Sequence, residues 1–152
     1  MDSVDRKILE LLQQDASLTV KEVAARIHLS ATPCWKRIQK LESEGYIRAR
    51  VALLDPRLVK ADVTVFAAIK ATQHTTEWIE RFSRAVSEMP EVMEIYRMSG
   101  EVDYLLRVAV GSISDYDAFY KRLVDRIELS DVTSSFAMEQ IKYTTALPVN
   151  GD

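Results

Sequence analysis

Apolar residues recur along this chain with two different periods, and the change between them divides it. Over the first 48 residues the spacing is helical. Asp2 to Gln14 reads as a helix with Ile8, Leu9, Leu11 and Leu12 as its apolar positions, and Asp2 or Ser3 can cap it. Thr19 with Glu22 forms a capping box that opens a short helix with Val20, Val23, Ala24 and Ile27 along one stripe. His28-Leu29 makes a tight turn, and Ser30 stands as N-cap of a third helix that ends at Gly45. Residues 19–48 therefore read as a helix-turn-helix, completed by the first helix into a three-helix domain.

Beyond residue 50 the pattern alternates strands with helices. Tyr46–Leu54 is β-prone and runs into the turn Asp55-Pro56. Val63–Ala71, Val92–Met98, Tyr104–Val110 and Asp131–Tyr143 read as strands. Between them lie two amphipathic helices. One is capped by Thr75 or Thr76 and carries Ile79, Phe82, Val86 and Met89; the other is capped by Ser114, with Asp117, and carries Tyr116, Phe119, Tyr120, Leu123 and Ile127. The order β-α-β-β-α-β predicts a ferredoxin-like domain, so the fold class is α+β. The expected division is 1–50 for the helix-turn-helix domain, 51–61 for a linker and 62–152 for the ferredoxin-like domain. Such a domain has an antiparallel sheet with helices on one side. Its other face is open unless a second chain covers it, which predicts at least a homodimer.

Composition narrows the class. At 47% hydrophobic residues the chain can bury a core. No apolar run is long enough to span a bilayer and no signal peptide is visible, so a cytoplasmic protein without a membrane partner is expected. A single cysteine excludes an internal disulfide, and two isolated histidines give no metal-ligand spacing; no metal and no cofactor are expected. The net charge of −3 hides an asymmetry. Residues 1–50 hold nine Lys/Arg against seven Asp/Glu, and the remainder eleven against sixteen. A basic segment on an acidic body suits a nucleic-acid reader, with modest affinity per copy.

The third helix concentrates that chemistry. Cys34, Ile38 and Leu41 recur at i, i+4 and i+7 and face inward, which makes Cys34 a small core residue in preference to a redox switch. Outward lie Thr32, Trp35, Lys36, Arg37, Gln39 and Lys40, with no acid from Ala31 to Leu41. A helix entering the major groove needs cations for phosphates, amide and guanidinium groups for base edges, and hydroxyls near its start. The candidate contacts with double-stranded DNA are Ser30, Thr32, Trp35, Lys36, Arg37 and Lys40. Trp35 serves equally as a packing partner for Pro33, and a solvated basic face is the bland alternative. His28 and His74 read as turn and loop residues. No catalytic Ser/His/Asp set or phosphate-binding glycine loop occurs, and the chain reads as a non-enzyme. Two other classes stay open: an enzyme on a ferredoxin-like fold, with Glu101 and Asp103 as its close acids, and a ligand-binding scaffold whose helix-turn-helix makes protein contacts.

Five segments taken together resemble the Lrp/AsnC family of bacterial and archaeal transcription regulators. They are DRKILELLQQDA at 5–16, LSATPCWKRIQKLESEGYI at 29–47, LLDP at 53–56, SGEVDYLLRV at 99–108 and VTSSFAMEQIKYTTALP at 132–148. The resemblance runs nearly end to end, and TPCWKRI and DVTSSFAMEQIKYTTALP look especially like a branch associated with cysteine response. It implies a C-terminal domain that senses an amino-acid effector: cysteine first, with leucine or methionine behind it. It implies paired sheets in a dimer and a ring of dimers, an octamer. It places the effector near dimer–dimer contacts, between the loop Met98, Ser99, Gly100, Glu101, Asp103 and Tyr104 and an opposing wall of Ser134, Ser135 and Phe136. An amino-acid zwitterion needs N–H groups and hydroxyls for its carboxylate and an acid for its ammonium, which Glu101 or Asp103 supplies. Asp103 has a rival role in capping the turn before Tyr104. Two departures from the family pattern stand out: His28 replaces a small turn residue, and IELSDV at 127–132 lacks the Pro-Gly that often precedes the last strand.

Overall fold

The computed structural model describes residues 1–149, so the last three residues of the expected second domain lie outside the described residues. The chain falls into two compact units.

The first unit holds three helices: α1 (Ser3–Gln14), α2 (Val20–Arg26) and α3 (Ala31–Ser43). Asp2 caps α1, its carboxylate accepting from the N–H groups of Val4 and Asp5. Thr19 and Glu22 close the capping box of α2. Between α2 and α3 the chain reverses through His28 in the left-handed region at φ 58°, a conformation His tolerates better than most residues. Gly45, at φ 79°, ends α3. Ile8, Leu12, Leu18, Val23, Ala24, Cys34, Ile38 and Leu41 form one buried cluster.

Tyr46–Leu54, expected to be β-prone, forms no strand. Val51, Leu53 and Leu54 are exposed, and an extended segment without a hydrogen-bonding neighbour is not a strand. Residues 141–149 pack in this first unit. There the side-chain amide of Gln13 donates to the carbonyl of Leu147 (2.8 Å) and accepts from its N–H (2.9 Å). This departs from the expected assignment of the whole of 62–152 to the second domain.

The second unit has the order β1 (Val63–Ala71), α4 (Thr76–Ser87), β2 (Val92–Arg97), β3 (Tyr104–Val110), α5 (Ile113–Arg126) and β4 (Leu129–Phe136). Its sheet is antiparallel with strand order β2-β3-β1-β4, the ferredoxin-like arrangement. Val65, Ala67 and Ile69 of β1, with Tyr104, Leu106, Val108 and Val110 of β3, share a buried cluster with Phe82 and Val86 of α4 and Phe119 and Leu123 of α5.

Two expectations are corrected here. The last strand stops at Phe136, short of Tyr143. Phe136 pairs with Val65, close to where β1 begins, and after Ala137 donates to Thr64 the ladder has no neighbouring strand left. The cap of α5 is Ser112, not Ser114. Its hydroxyl accepts from the N–H of Asp115, so the same Ser-x-x-Asp pattern acts two residues earlier.

Candidate nucleic-acid interface and effector region

On α3 the buried row is Cys34, Ile38 and Leu41. At about 100° per residue, Thr32, Lys36 and Gln39 fall on the opposite side, with Trp35 and Lys40 flanking them. Ser30, Thr32, Trp35, Lys36, Gln39 and Lys40 are exposed. Ser30 occupies the N-cap position but makes no side-chain capping hydrogen bond, so its hydroxyl faces outward unused. Trp35 is 49% exposed, too open for a packing anchor. Lys40 lies 3.8 Å from Glu44, and Gln39 donates to Glu42 at 3.0 Å; both are exposed contacts that cost little to exchange. Cys34 is fully buried, and burial pushes its thiol pKa up, away from the reactive thiolate.

Arg37 stands apart from this set. It sits on the flank of the helix beside the buried row, and its guanidinium bridges Asp2 (2.6 Å) and Asp5 (2.7 Å) of the α1 N-terminus. Its expected outward placement is thereby corrected: one residue beyond Lys36 is about 100° around the helix, enough to turn the side chain toward α1. The signal in the sequence was the pair Asp2 and Asp5. From the sequence, Asp2 has a capping role only and Asp5 none, and Gln39 is left out of the contacts although it shares the outer side with Lys36.

The effector candidates do not converge in one chain. Met98 to Asp103 joins β2 to β3, and Tyr104 is level with Ile69 on β1, which is level with Val132 on β4. Ser134 lies two residues further along β4, so about 12 Å separate it from Tyr104, and Phe136 is further still. The three wall residues also divide between faces. Ser134 is opposite Ala67 on the helix side, hydrogen-bonded to the Tyr116 hydroxyl, and Phe136 packs edge-on against the Tyr116 ring at 5.2 Å. Ser135, opposite the exposed Phe66, faces the other way.

Asp103 is held structurally. Its carboxylate accepts the N–H of Ala71 at 2.8 Å where the β1–β4 register shifts, its own N–H donates to Ile69, and its carbonyl accepts from Met98. Tyr104 is buried against Phe82 and Trp78. Met98, Ser99, Gly100 and Glu101 are exposed. Gly100 has φ 112° and open space where a Cβ would stand. The positive φ there favours glycine on backbone grounds alone.

On the sheet face away from the helices, Tyr96, Leu105, Ala68 and Thr133 form one cross-strand row, and Glu94, Arg107, Phe66 and Ser135 the next. Glu94 and Arg107 pair at 2.9 Å, and Phe66 and Tyr96 are exposed.

Comparison with known proteins matches both units. Residues 1–48 match a winged helix-turn-helix DNA-binding model, and residues 64–147 match the Lrp/AsnC ligand binding domain. The chain is 53% identical over 150 residues to the DNA-binding transcriptional activator DecR of Escherichia coli, covering 98% of this chain and 99% of that one. An AsnC family transcriptional regulator from Agrobacterium tumefaciens superposes with a TM-score of 0.96 at 61% identity, covering 97% of each chain. A transcriptional regulator from Neisseria meningitidis, solved as an L-Met complex, gives 0.94 at 34% identity over 99% of this chain and 97% of that one.

Proposed function

The chain belongs to the Lrp/AsnC family of DNA-binding transcriptional regulators, and we propose that it reads DNA through the exposed face of α3 and answers to a small free amino acid. The observation that carries the first half is the placement of Ser30, Thr32, Trp35, Lys36, Gln39 and Lys40 on one side of a helix whose other side is core. Hydroxyls near the helix start and the lysines hold phosphates, and Gln39 reaches base edges. Electrophoretic shift in rising salt tests it. The slope of log affinity against log salt falls by about 0.9 for each phosphate-contacting lysine removed.

Two-fold pairing through the open sheet face, which carries the exposed Phe66 and Tyr96, gives the modest charge of one copy a second reading helix. A ring of such dimers, up to an octamer, follows from the family resemblance. Light scattering at micromolar concentration measures both, and a stable monomer contradicts the pairing.

Cysteine is the leading effector on the resemblance of TPCWKRI and DVTSSFAMEQIKYTTALP, with methionine and leucine next. The Neisseria relative binds L-Met, which supports an amino-acid ligand for a domain of this shape. The exposed loop Met98 to Glu101 and the exposed hydroxyl of Ser135 are too far apart in one chain. The site we propose therefore joins the loop of one copy to the wall of another. Calorimetric titration with each amino acid tests it; no heat at millimolar concentration removes the sensing reading. No described helix is long and apolar enough to cross a membrane, and we place the regulator with its DNA in the cytoplasm.

A further inference from the structure

We infer that Arg37 is a positioning residue for DNA recognition: clamped between Asp2 and Asp5, it fixes the reading helix against the N-terminus of α1 and touches neither base nor phosphate itself. The inference rests on α3 being the reading helix.

The geometry is a closed set of contacts. One guanidinium nitrogen of Arg37 lies 2.6 Å from Asp2 and 2.7 Å from Asp5. The other oxygen of Asp2 accepts from the N–H groups of Val4 (2.9 Å) and Asp5 (2.8 Å), and the other oxygen of Asp5 accepts from the N–H of Asp2 (3.1 Å). The first turn of α1 is thus shaped by two carboxylates, and one arginine from α3 ties both. The Asp5 side chain is only 9% exposed, and Arg37 is 34% exposed. A buried carboxylate left without its cation is strongly unfavourable, so the pair resists exchange for a solvent-exposed phosphate. The N-terminal end of α1 also favours the two acids there.

Position matters because base readout is geometric. Hydrogen bonds to base edges demand placement within about 0.5 Å and 10–20°. Lys36, the next residue, points to the exposed side, so a rotation of α3 about its axis moves the reading face directly. Arg37 sits where such a rotation is resisted, beside the buried row and opposite α1.

The test uses the full chain and two duplexes: one selected by the wild-type protein from a random-sequence pool, and an unrelated one of equal length and composition. Arg37→Ala, Asp5→Asn and Asp2→Asn are each compared with wild type at a temperature where circular dichroism shows all of them folded. Expected is a loss of about tenfold or more in preference for the selected duplex in Arg37→Ala and in Asp5→Asn, and a smaller loss in Asp2→Asn. The double variant Asp5→Asn with Arg37→Ala should be no worse than either single one. The salt slope should stay at the wild-type value throughout, since no phosphate contact is removed. Arg37→Lys should recover part of the preference, because one ammonium meets a carboxylate but lacks the planar fork.

A salt slope lower by about 0.9 in Arg37→Ala shows a phosphate contact and overturns the inference. So does a selective loss in Arg37→Ala with Asp2→Asn and Asp5→Asn unchanged or tighter, the signature of a base contact freed from competition. Lower melting temperature with unchanged preference shows a purely structural pair and also overturns it. If Arg37→Ala does not fold, Asp2→Asn, whose side chain is half exposed, decides alone by losing or keeping preference. Lys36→Ala with Lys40→Ala stands as the control. Unchanged binding there sinks the reading of α3 itself; lysine losses without acid-variant losses sink only the clamp.

Discussion

Helix α3 and the β2–β3 loop carry the two proposed sites, and they use their residues differently. On α3 folding and recognition occupy opposite sides of one helix: Cys34, Ile38 and Leu41 hold it down, and Thr32, Lys36 and Gln39 face out. In the loop the same residues do both. Asp103 was a candidate for an effector's ammonium, yet its carboxylate already holds the N–H of Ala71. A helix separates function from stability by angle, whereas in this loop the residue that holds the strands, Asp103, was also a candidate for the ligand.

The largest expected effect tests that separation on α3. Ile38→Ala should cost about 2–5 kcal/mol, enough to unfold a three-helix unit of marginal stability. Lys36→Ala with Lys40→Ala should leave the urea midpoint within about 0.5 kcal/mol and lower the salt slope of DNA binding by about two units. Denaturation and shift assays on the same preparations show whether the two sides are independent. A large stability loss in the lysine variant breaks the contrast.

At Asp103 in the loop the two properties should fall together. Asp103→Ala leaves the N–H of Ala71 without its acceptor and loosens the hairpin, for a loss of about 1–3 kcal/mol. Any effector response should drop with it. Glu101→Ala, exposed and outside that network, should keep wild-type stability and weaken amino-acid binding alone. If calorimetry finds normal binding in Glu101→Ala, the ammonium partner is elsewhere.

The same contrast explains what was legible in the sequence. Helix boundaries and inward rows followed from caps and spacing, because both are set by residues three or four apart. Arg37 was misplaced because its partners, Asp2 and Asp5, are more than thirty residues away and belong to another helix. The expected β4 runs too far because the β-prone Ile141 and Tyr143 extend it, while a strand ends where its neighbour ends, at Val63 on β1. Ser134 and Ser135 are adjacent in sequence and sit on opposite faces. The register with Ala67 and Phe66 decides which hydroxyl meets Tyr116. Periodicity reports which residues share a face; it does not report which neighbour they meet.

That last point gives a smaller effect. Ser134→Ala removes the partner of the buried Tyr116 hydroxyl, whose pKa burial raises, and should cost about 0.5–1.5 kcal/mol with amino-acid affinity unchanged. Ser135→Ala should leave stability alone and lower effector binding or assembly, since it lies on the open face. Urea denaturation of both, followed by calorimetry and light scattering, sharpens the assignment of the two faces. Reversed outcomes would show that the wall of the effector site lies on the helix side.

The smallest effect on stability belongs to the titration of Asp2, and it appears only in acid. The N–H of Asp5, and then Arg37, draw the Asp2 carboxyl from its usual 3.8 down to about 2. A folded-state pKa below the unfolded one means that the unfolded chain takes up the proton first. The contribution of Asp2 is therefore complete above about pH 4 and is lost as the pH falls toward 2. Asp2 is solvent-exposed, so water and salt screen the pair and the slope is shallow. The groups facing it are Arg37 from α3, which stays charged throughout, and Asp5 on its own helix. Asp2→Asn should flatten the stability profile of the first unit between pH 4 and 2 and leave it unchanged from pH 6 to 8 apart from a constant offset. Thermal melts across that range, at low and at high salt, measure it. An identical acid slope in wild type and Asp2→Asn would mean that the N–H and guanidinium contacts are no stronger in the folded protein than in the unfolded chain. The joint between α1 and α3 would then be held by its apolar row and the Arg37–Asp5 pair.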